Sequence, residues 1–407
     1  MRRSQVGATG VSAYGYGVNA IGQRKGVAPD SDSPAPDTTL FLTGDVMTGR
    51  GIDQILAHPG NSGLFERYVQ SALDYVRMAE EVNGAIPRPV NADYLWGDAL
   101  PLLEEETPDL RLINLETAIT ARGTPEPKGI NYRMHPANTQ CLVALRVDGA
   151  VLANNHVLDW GADGLDDTLD ALQQAGIAAA GAGRDTEAAR QDAHWPLPGS
   201  RKLRLFAWAH DSSGVPDEWA AGPDVAGINW LPDLSAARVA GVAEQIRGVR
   251  QDGDLVVVSL HWGSNWGHEI PAAQTSFAHA LIDEAGVDLV WGHSSHHPRA
   301  MEVYHDRLIL YGCGDFLNDY EGIKGHDAYR PELVLLYLVR LAADGRLRQL
   351  RLWPLRLCRF QLQRASVAEG RWLADSLSRA GQAYGTQLEP QADGSLLLCR
   401  ESRTGVI

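Results

Sequence analysis

The chain has 407 residues, 44% hydrophobic and 21% charged, an ordinary globular balance that excludes wholesale disorder. Its longest uninterrupted apolar run, Leu333 to Val339, is far short of the roughly 20 residues a membrane helix needs, so no transmembrane segment is expected. With 36 Lys and Arg against 51 Asp and Glu, the net charge of −15 argues against nucleic acid as a partner and favours attraction of cations.

Residues 1–37 read as a disordered tail, rich in Gly, Ala, Ser and Pro, that closes on Asp30-Ser-Asp-Ser-Pro-Ala-Pro-Asp37. Arg2 and Arg3 are followed by no continuous apolar core, so no export signal is read there. Order is expected from Thr38. Thr39 to Thr43 reads as a short buried strand ending in Gly44-Asp45. Leu110 to Asn114 and Gly149 to Ala153 read as further strands. Gly164 to Ala175 has helical spacing, with Leu165, Leu169 and Leu172 on one face. Strands follow at Ile177–Ala180, Leu203–Trp208 and Leu255–Leu260. A helix is expected over Gln274–Ala285, then strands over Val287–Trp291 and Leu308–Tyr311. Leu333–Leu341 and the Arg-rich Leu347–Leu357, joined by Ala343-Asp-Gly, predict a late antiparallel hairpin. Residues 366–407 read as a C-terminal helix and one short final strand, an extension of a main domain over 38–365. Alternating strands and helices define an α/β fold class.

Cys141, Cys313, Cys358 and Cys399 form no CxxC pair. They are expected to be free thiols, which fits a reducing, cytoplasmic compartment.

The polar residues that stand out share one position, directly after an apolar strand, where open α/β sheets place their sites. They are Gly44-Asp45-Val-Met-Thr-Gly-Arg50, Asn114-Leu-Glu116, Asn154-Asn155-His156 with Asp159, His261-Trp262-Gly263, Gly292-His293-Ser-Ser-His296-His297-Pro298, and Gly312-Cys-Gly314-Asp315-Phe316. Carboxylate, amide oxygen and imidazole together suit a divalent ion such as Mn, Fe, Zn or Mg. Two such ions can hold a phosphoryl group and activate a water, given a bridging carboxylate, for which Glu116 and Asp45 both qualify. His156 then reads as a general acid or base, with Asp159 orienting its ring. Taken singly each motif has an ordinary explanation: Gly-Asp is a common turn, and Asn155-His156 can cap a helix. Three histidines between Gly292 and His297 are harder to assign to a turn. Trp160, Trp262, Trp266 and Trp291 are expected mainly in the core.

In this order the motifs resemble the calcineurin-like metallophosphoesterases, and more closely their CapA branch, linked to poly-γ-glutamate capsule synthesis. The resemblance runs from about residue 39 to about residue 340. It implies a four-layer α/β/β/α sandwich with metal at the sheet rim. It implies Asp45, Glu116, Asn155, His261 and His296 as metal ligands, with His293 on the same loop and His156 as acid or base. Arg50 and Arg133 become weaker candidates for holding an anionic substrate group, with surface salt-bridge partners as the alternative. Met47 and Ser294 stand where the superfamily usually has histidines, and Asp315 where the branch often has Asn. One ion, or a loosely held second one, is therefore expected. Three functions follow as expectations: a hydrolase of phosphoesters or of poly-γ-glutamate or peptide-type substrates, a metal-assisted peptide epimerase, and a non-catalytic polymer-binding protein.

Overall fold

The structure, a computed structural model, describes residues 35–400. The tail expected over 1–37 therefore falls outside the described residues except for its last three positions, as do residues 401–407 of the C-terminal extension.

Two large sheets organise the chain. The first runs in the order Thr386–Pro390, Leu396–Arg400, Leu347–Cys358, Leu333–Leu341, Thr38–Val46, Leu110–Leu115, Gly149–Val151, Ala178–Ala180. Its last four strands are parallel, and the Leu333–Leu341 strand joins them antiparallel. The second runs Trp230–Leu231, Arg201–His210, Leu255–His261, Leu289–His293, Arg307–Leu310, Met301–Tyr304, parallel except for the last pair. The near-continuous apolar runs of the central strands follow from burial on both faces, as parallel sheets require.

Side-chain alternation shows what each face of the second sheet meets. Leu203, Leu205, Leu255, Val257 and Leu289 join one apolar cluster with Leu40, Leu42, Leu112 and Leu335 of the first sheet. Phe206, Val256, Val258 and Val290 instead pack with Val239 and Ile246 of the Ala236–Val249 helix and Phe277 and Leu281 of the Ala272–Ala285 helix. Each such fully buried side chain contributes roughly 1.5–3 kcal/mol. Trp291 is wholly buried and its indole Nε1 donates to Thr43 O at 2.8 Å, tying one sheet to the other. Gly44 is required at the next position. A Cβ there would lie 1.7 Å from Gly314 O, so any side chain would push apart the two backbones that flank the site.

The expected helix around Leu165 and Leu172 forms over Gly161–Gln174, with both leucines buried. The expected single C-terminal strand is instead two. A turn at Asp393-Gly394, with Gly394 at φ +90°, folds Thr386–Pro390 against Leu396–Arg400 on the edge of the first sheet. The Val367–Gly381 helix that precedes them starts on a capping box between Ser366 and Glu369. The cysteines are free, Cys141 and Cys313 buried, Cys358 and Cys399 half-buried. No helix among the described residues is long and apolar enough to cross a membrane.

Candidate metal centre

Strand ends from both sheets converge on one rim. Asp45 lies near the end of the Thr38–Val46 strand, Glu116 just past Leu110–Leu115, and Asn155 and His156 in the turn after Gly149–Val151. The second sheet brings His261 and His293, which are register partners at the ends of adjacent parallel strands. His296 follows in the loop.

Two trios of potential ligands result. Asp45, Glu116 and His261 present ligand atoms that all lie within 4.8 Å of one another, and so do Asp45, His296 and Asp315. Asp45 belongs to both, so of the two candidate bridges it is the one common to the two trios. Asp315, outside the expected ligand set, completes the second. It pairs in register with Asp45 and lies 2.9 Å from His296 Nδ1. Asn155 Oδ1 is 3.0 Å from His261 Nε2, and His293 Nδ1 is 3.6 Å from Asp45 Oδ1. His293 borders both trios and completes neither.

Amide side chains hold the carboxylates in place. Asn114 Nδ2 donates to Asp45 Oδ1 at 2.7 Å, and Asn318 Nδ2 to Asp315 Oδ2 at 2.7 Å. Asn154 fixes the third turn: its Nδ2 donates to Leu115 O, while its Oδ1 accepts from the backbone N–H groups of His156 and Val157. Asn114 and Asn154 lie inside motifs already prominent in the sequence and act as struts.

The electrostatics of the rim favour a cation. Burial, reinforced by the neighbouring Asp315 carboxylate, pushes Asp45 up to about 7. Burial and the charges of Asp45 and Asp315 lift Glu116 well above its ordinary range. Burial also lowers His293 to about 3 and His261 well below its usual value, so both are neutral imidazoles suited to ligation. At His296 burial again lowers the value, but the facing Asp315 carboxylate outweighs it and lifts the imidazole above its usual value. His261 Nδ1 and both ring nitrogens of His293 are buried without a hydrogen-bond partner. Buried, mutually repelling carboxylates beside unpartnered imidazole nitrogens are the donor set a divalent ion satisfies. The residues present therefore fit the group.

His156 sits at the edge of this cluster, its Nε2 3.8 Å from Glu116 Oε1. Its Nδ1 is 2.6 Å from Asp159 Oδ2, and that oxygen also accepts from Tyr132 N at 2.6 Å. The Tyr132 ring meets the imidazole edge-on at 4.6 Å. Burial lowers His156 to about 4, against the pull of Asp159.

The two arginines are both engaged within the protein. Arg50 is buried, not a surface group open to substrate. It pairs with Asp319, donates to Glu66 at 2.9 Å and to the Tyr75 hydroxyl at 3.0 Å, and stacks on the Tyr75 and Tyr132 rings. Arg133 turns onto the face of Trp160, its guanidinium carbon 3.6 Å from the ring centroid. Met47 is fully buried, with its sulfur 3.6 Å from the Tyr320 hydroxyl. Trp160, Trp262 and Trp291 are buried as expected, whereas Trp266 is half-buried and lies against His296 with ring centroids 5.4 Å apart.

Fold and rim together define a mixed α/β protein with a carboxylate- and imidazole-lined centre between two sheets. Residues 39–320 match the family described as "Bacterial capsule synthesis protein PGA_cap", and the chain belongs to that family. A "Probable polyglutamine synthesis accessory protein" of Mycobacterium tuberculosis is 49% identical over 365 residues, covering 89% of this chain and 96% of that protein. The "PGA biosynthesis protein CapA" of Bacillus subtilis is 23% identical over 305 residues, 75% of this chain and 68% of that one. Among solved structures, a phosphatase of Mycoplasma pneumoniae aligns with 79% of this chain and 94% of its own at 12% identity and a TM-score of 0.43.

Proposed function

We propose that this chain is a metal-dependent hydrolase acting on a phosphoester or on an amide-linked polymer of the poly-γ-glutamate type, within the α/β/β/α layering of the calcineurin-like metallophosphoesterases. The observation that carries the reading is the sharing of Asp45 by two ligand trios. Divalent ions held there, Mn, Fe, Zn or Mg, would supply Lewis acidity towards a substrate oxygen and a lowered pKa for an attacking water. Asp45, Glu116 and His261 would hold one ion, with Asn155 beside them. Asp45, His296 and Asp315 would hold a second. The names of the relatives support a link to capsule or polyglutamate synthesis.

The proton work falls to His156. Asp159, 2.6 Å from Nδ1, fixes the ring and leaves Nε2 as the atom that gives or takes a proton at the rim. Burial keeps the imidazole neutral near pH 7, ready to act as a base. The Tyr132 ring restricts rotation of the imidazole.

Metal content measured by mass spectrometry on protein purified without chelators, beside His296→Ala, tests the reading. About two equivalents in the parent and a clear loss in the variant support it, and a phosphoester and γ-glutamyl screen follows. No metal after reloading with each ion overturns it.

Two further readings keep the same residues. The His156–Asp159 pair beside an ion suits proton exchange at a peptide Cα, detected as deuterium uptake from heavy water without cleavage. The word "accessory" in the mycobacterial relative's name favours a polymer-binding role without turnover.

A further inference from the structure

We propose that Lys128 receives an anionic arm of the substrate, a carboxylate or phosphate carried on a short aliphatic stem beside the reacting bond. The inference rests on the reading of the rim as a reaction centre, and it adds a contact that the sequence motifs do not contain.

A cavity of about 270 Å³ opens on the rim, lined by Glu116, Asn155, His156, His296, Tyr320 and Lys128 among others. Lys128 is the one Lys or Arg among its lining residues. The ammonium donates to Asn155 O and lies 2.7 Å from Asp159 Oδ1; His156 Nδ1 is 3.4 Å away but is taken up by Asp159 Oδ2 at 2.6 Å, so it does not accept from Lys128. An ammonium has three N–H donors. One is thus left for the cavity that the residue lines, and the side chain is 28% exposed. Trp219 fixes the direction of approach, with the nitrogen 5.1 Å from its ring centroid.

The remaining wall defines what kind of anion fits. Gly129 and Ile130 continue the lining, and Ile130 is 40% exposed. That surface suits methylene groups rather than a second charge. Glu116, which lines the same cavity, is a buried carboxyl group and offers an anion no hydrogen-bond donor of the kind Lys128 supplies. An anionic substrate therefore enters with its charge directed at Lys128 and its stem along Ile130, which leaves the reacting bond facing His156 and the ligand trios. A charge-assisted hydrogen bond of this kind changes affinity by about tenfold or more.

The test uses the full chain loaded with Mn²⁺ and calorimetric titration of three probes: γ-linked triglutamate, its counterpart with every free carboxylate converted to a carboxamide, and inorganic phosphate. Lys128→Met keeps an unbranched aliphatic side chain and removes the charge, and Lys128→Arg restores the charge. We expect K128M to weaken an anionic probe by about tenfold or more, K128R to return it to within about threefold, and neither to change amide binding by more than about twofold. Loss confined to triglutamate identifies a carboxylate as the anion, and loss confined to phosphate identifies a phosphate. Unchanged anion binding in K128M overturns the inference, as does equal loss of the amide, which would assign Lys128 a purely structural role. Absence of anion binding in the parent overturns it too. Charge-selective binding without any turnover sinks the hydrolase reading and leaves the Lys128 assignment standing, while turnover indifferent to K128M does the reverse.

Discussion

Asp45 and Asp315 are register partners across a parallel strand pair, which sets two buried carboxylates side by side at the mouth between the sheets. The Asp315 carboxylate, together with burial, disfavours the charge on Asp45, and the proposed cation shared through Asp45 would relieve the repulsion.

Asp45→Asn keeps the amide-compatible contact with Asn114 and removes one charge. In chelator, the variant should be more stable than the parent by on the order of 1–3 kcal/mol in denaturant unfolding at pH 8, because the repulsion is gone. Loaded, it should bind essentially no metal. A variant that is less stable in chelator, or that retains both ions, contradicts the shared-ligand assignment.

His156→Ala should lower turnover by about 10²–10⁴-fold at unchanged metal content. Asp159→Asn should cost about 10–100-fold by misorienting the ring. Turnover of metal-loaded H156A at the parent rate would remove His156 from the mechanism.

Arg50 separates the two roles that its position in the first motif allows. Arg50→Met leaves Asp319 buried and unpaired, with an expected loss of about 3–5 kcal/mol in stability. If Arg50 held substrate instead, KM would rise at unchanged stability, and equilibrium unfolding beside steady-state kinetics distinguishes the two.

Glu369 gives a pH signature away from the rim. Against partial burial, the Ser366 backbone N–H and hydroxyl and the Arg356 guanidinium hold its carboxylate at about 2, below the ordinary value of 4.5. A depressed carboxylate stabilises the fold above its unfolded value, and that contribution is lost as pH falls from about 4.5 towards 2. Glu369→Ala should therefore be less stable than the parent by about 1–2 kcal/mol at pH 7, with the gap closing in acid. Unfolding curves at pH 7, 4 and 2.5 check this, and a gap that widens in acid contradicts it.

Much of this was legible in the sequence because strand ends announce themselves. Asp45, Glu116, Asn155, His261 and His296 follow apolar runs and reach one rim. What local pattern cannot carry is partnership across the chain. Arg50 looks like a free cation until Asp319 comes to it from 269 residues away. Asp315 looks like a turn residue until strand pairing sets it beside Asp45. Lys128 sits in a Pro- and Gly-rich stretch with no apolar period, so only the fold shows that it reaches Asp159. The Ala72–Asn83 and Ala236–Val249 helices lie in segments without the motif landmarks, although Tyr75, Val76 and Ala79 carry helical spacing.

The tight apposition of Gly44 and Gly314 has a consequence for how the centre comes into being. Each trio combines residues separated by much of the chain: Asp45 and Glu116 with His261, and Asp45 with His296 and Asp315. No segment that ends before residue 261 contains a complete trio. On the proposed metal reading, cation capture would follow docking of the sheets, and a bound ion would act as a clasp between them. Protein emptied of metal should open first along this seam, so hydrogen exchange at Thr43–Asp45 and Cys313–Asp315 would report the loss of the clasp before the distant edges of either sheet respond.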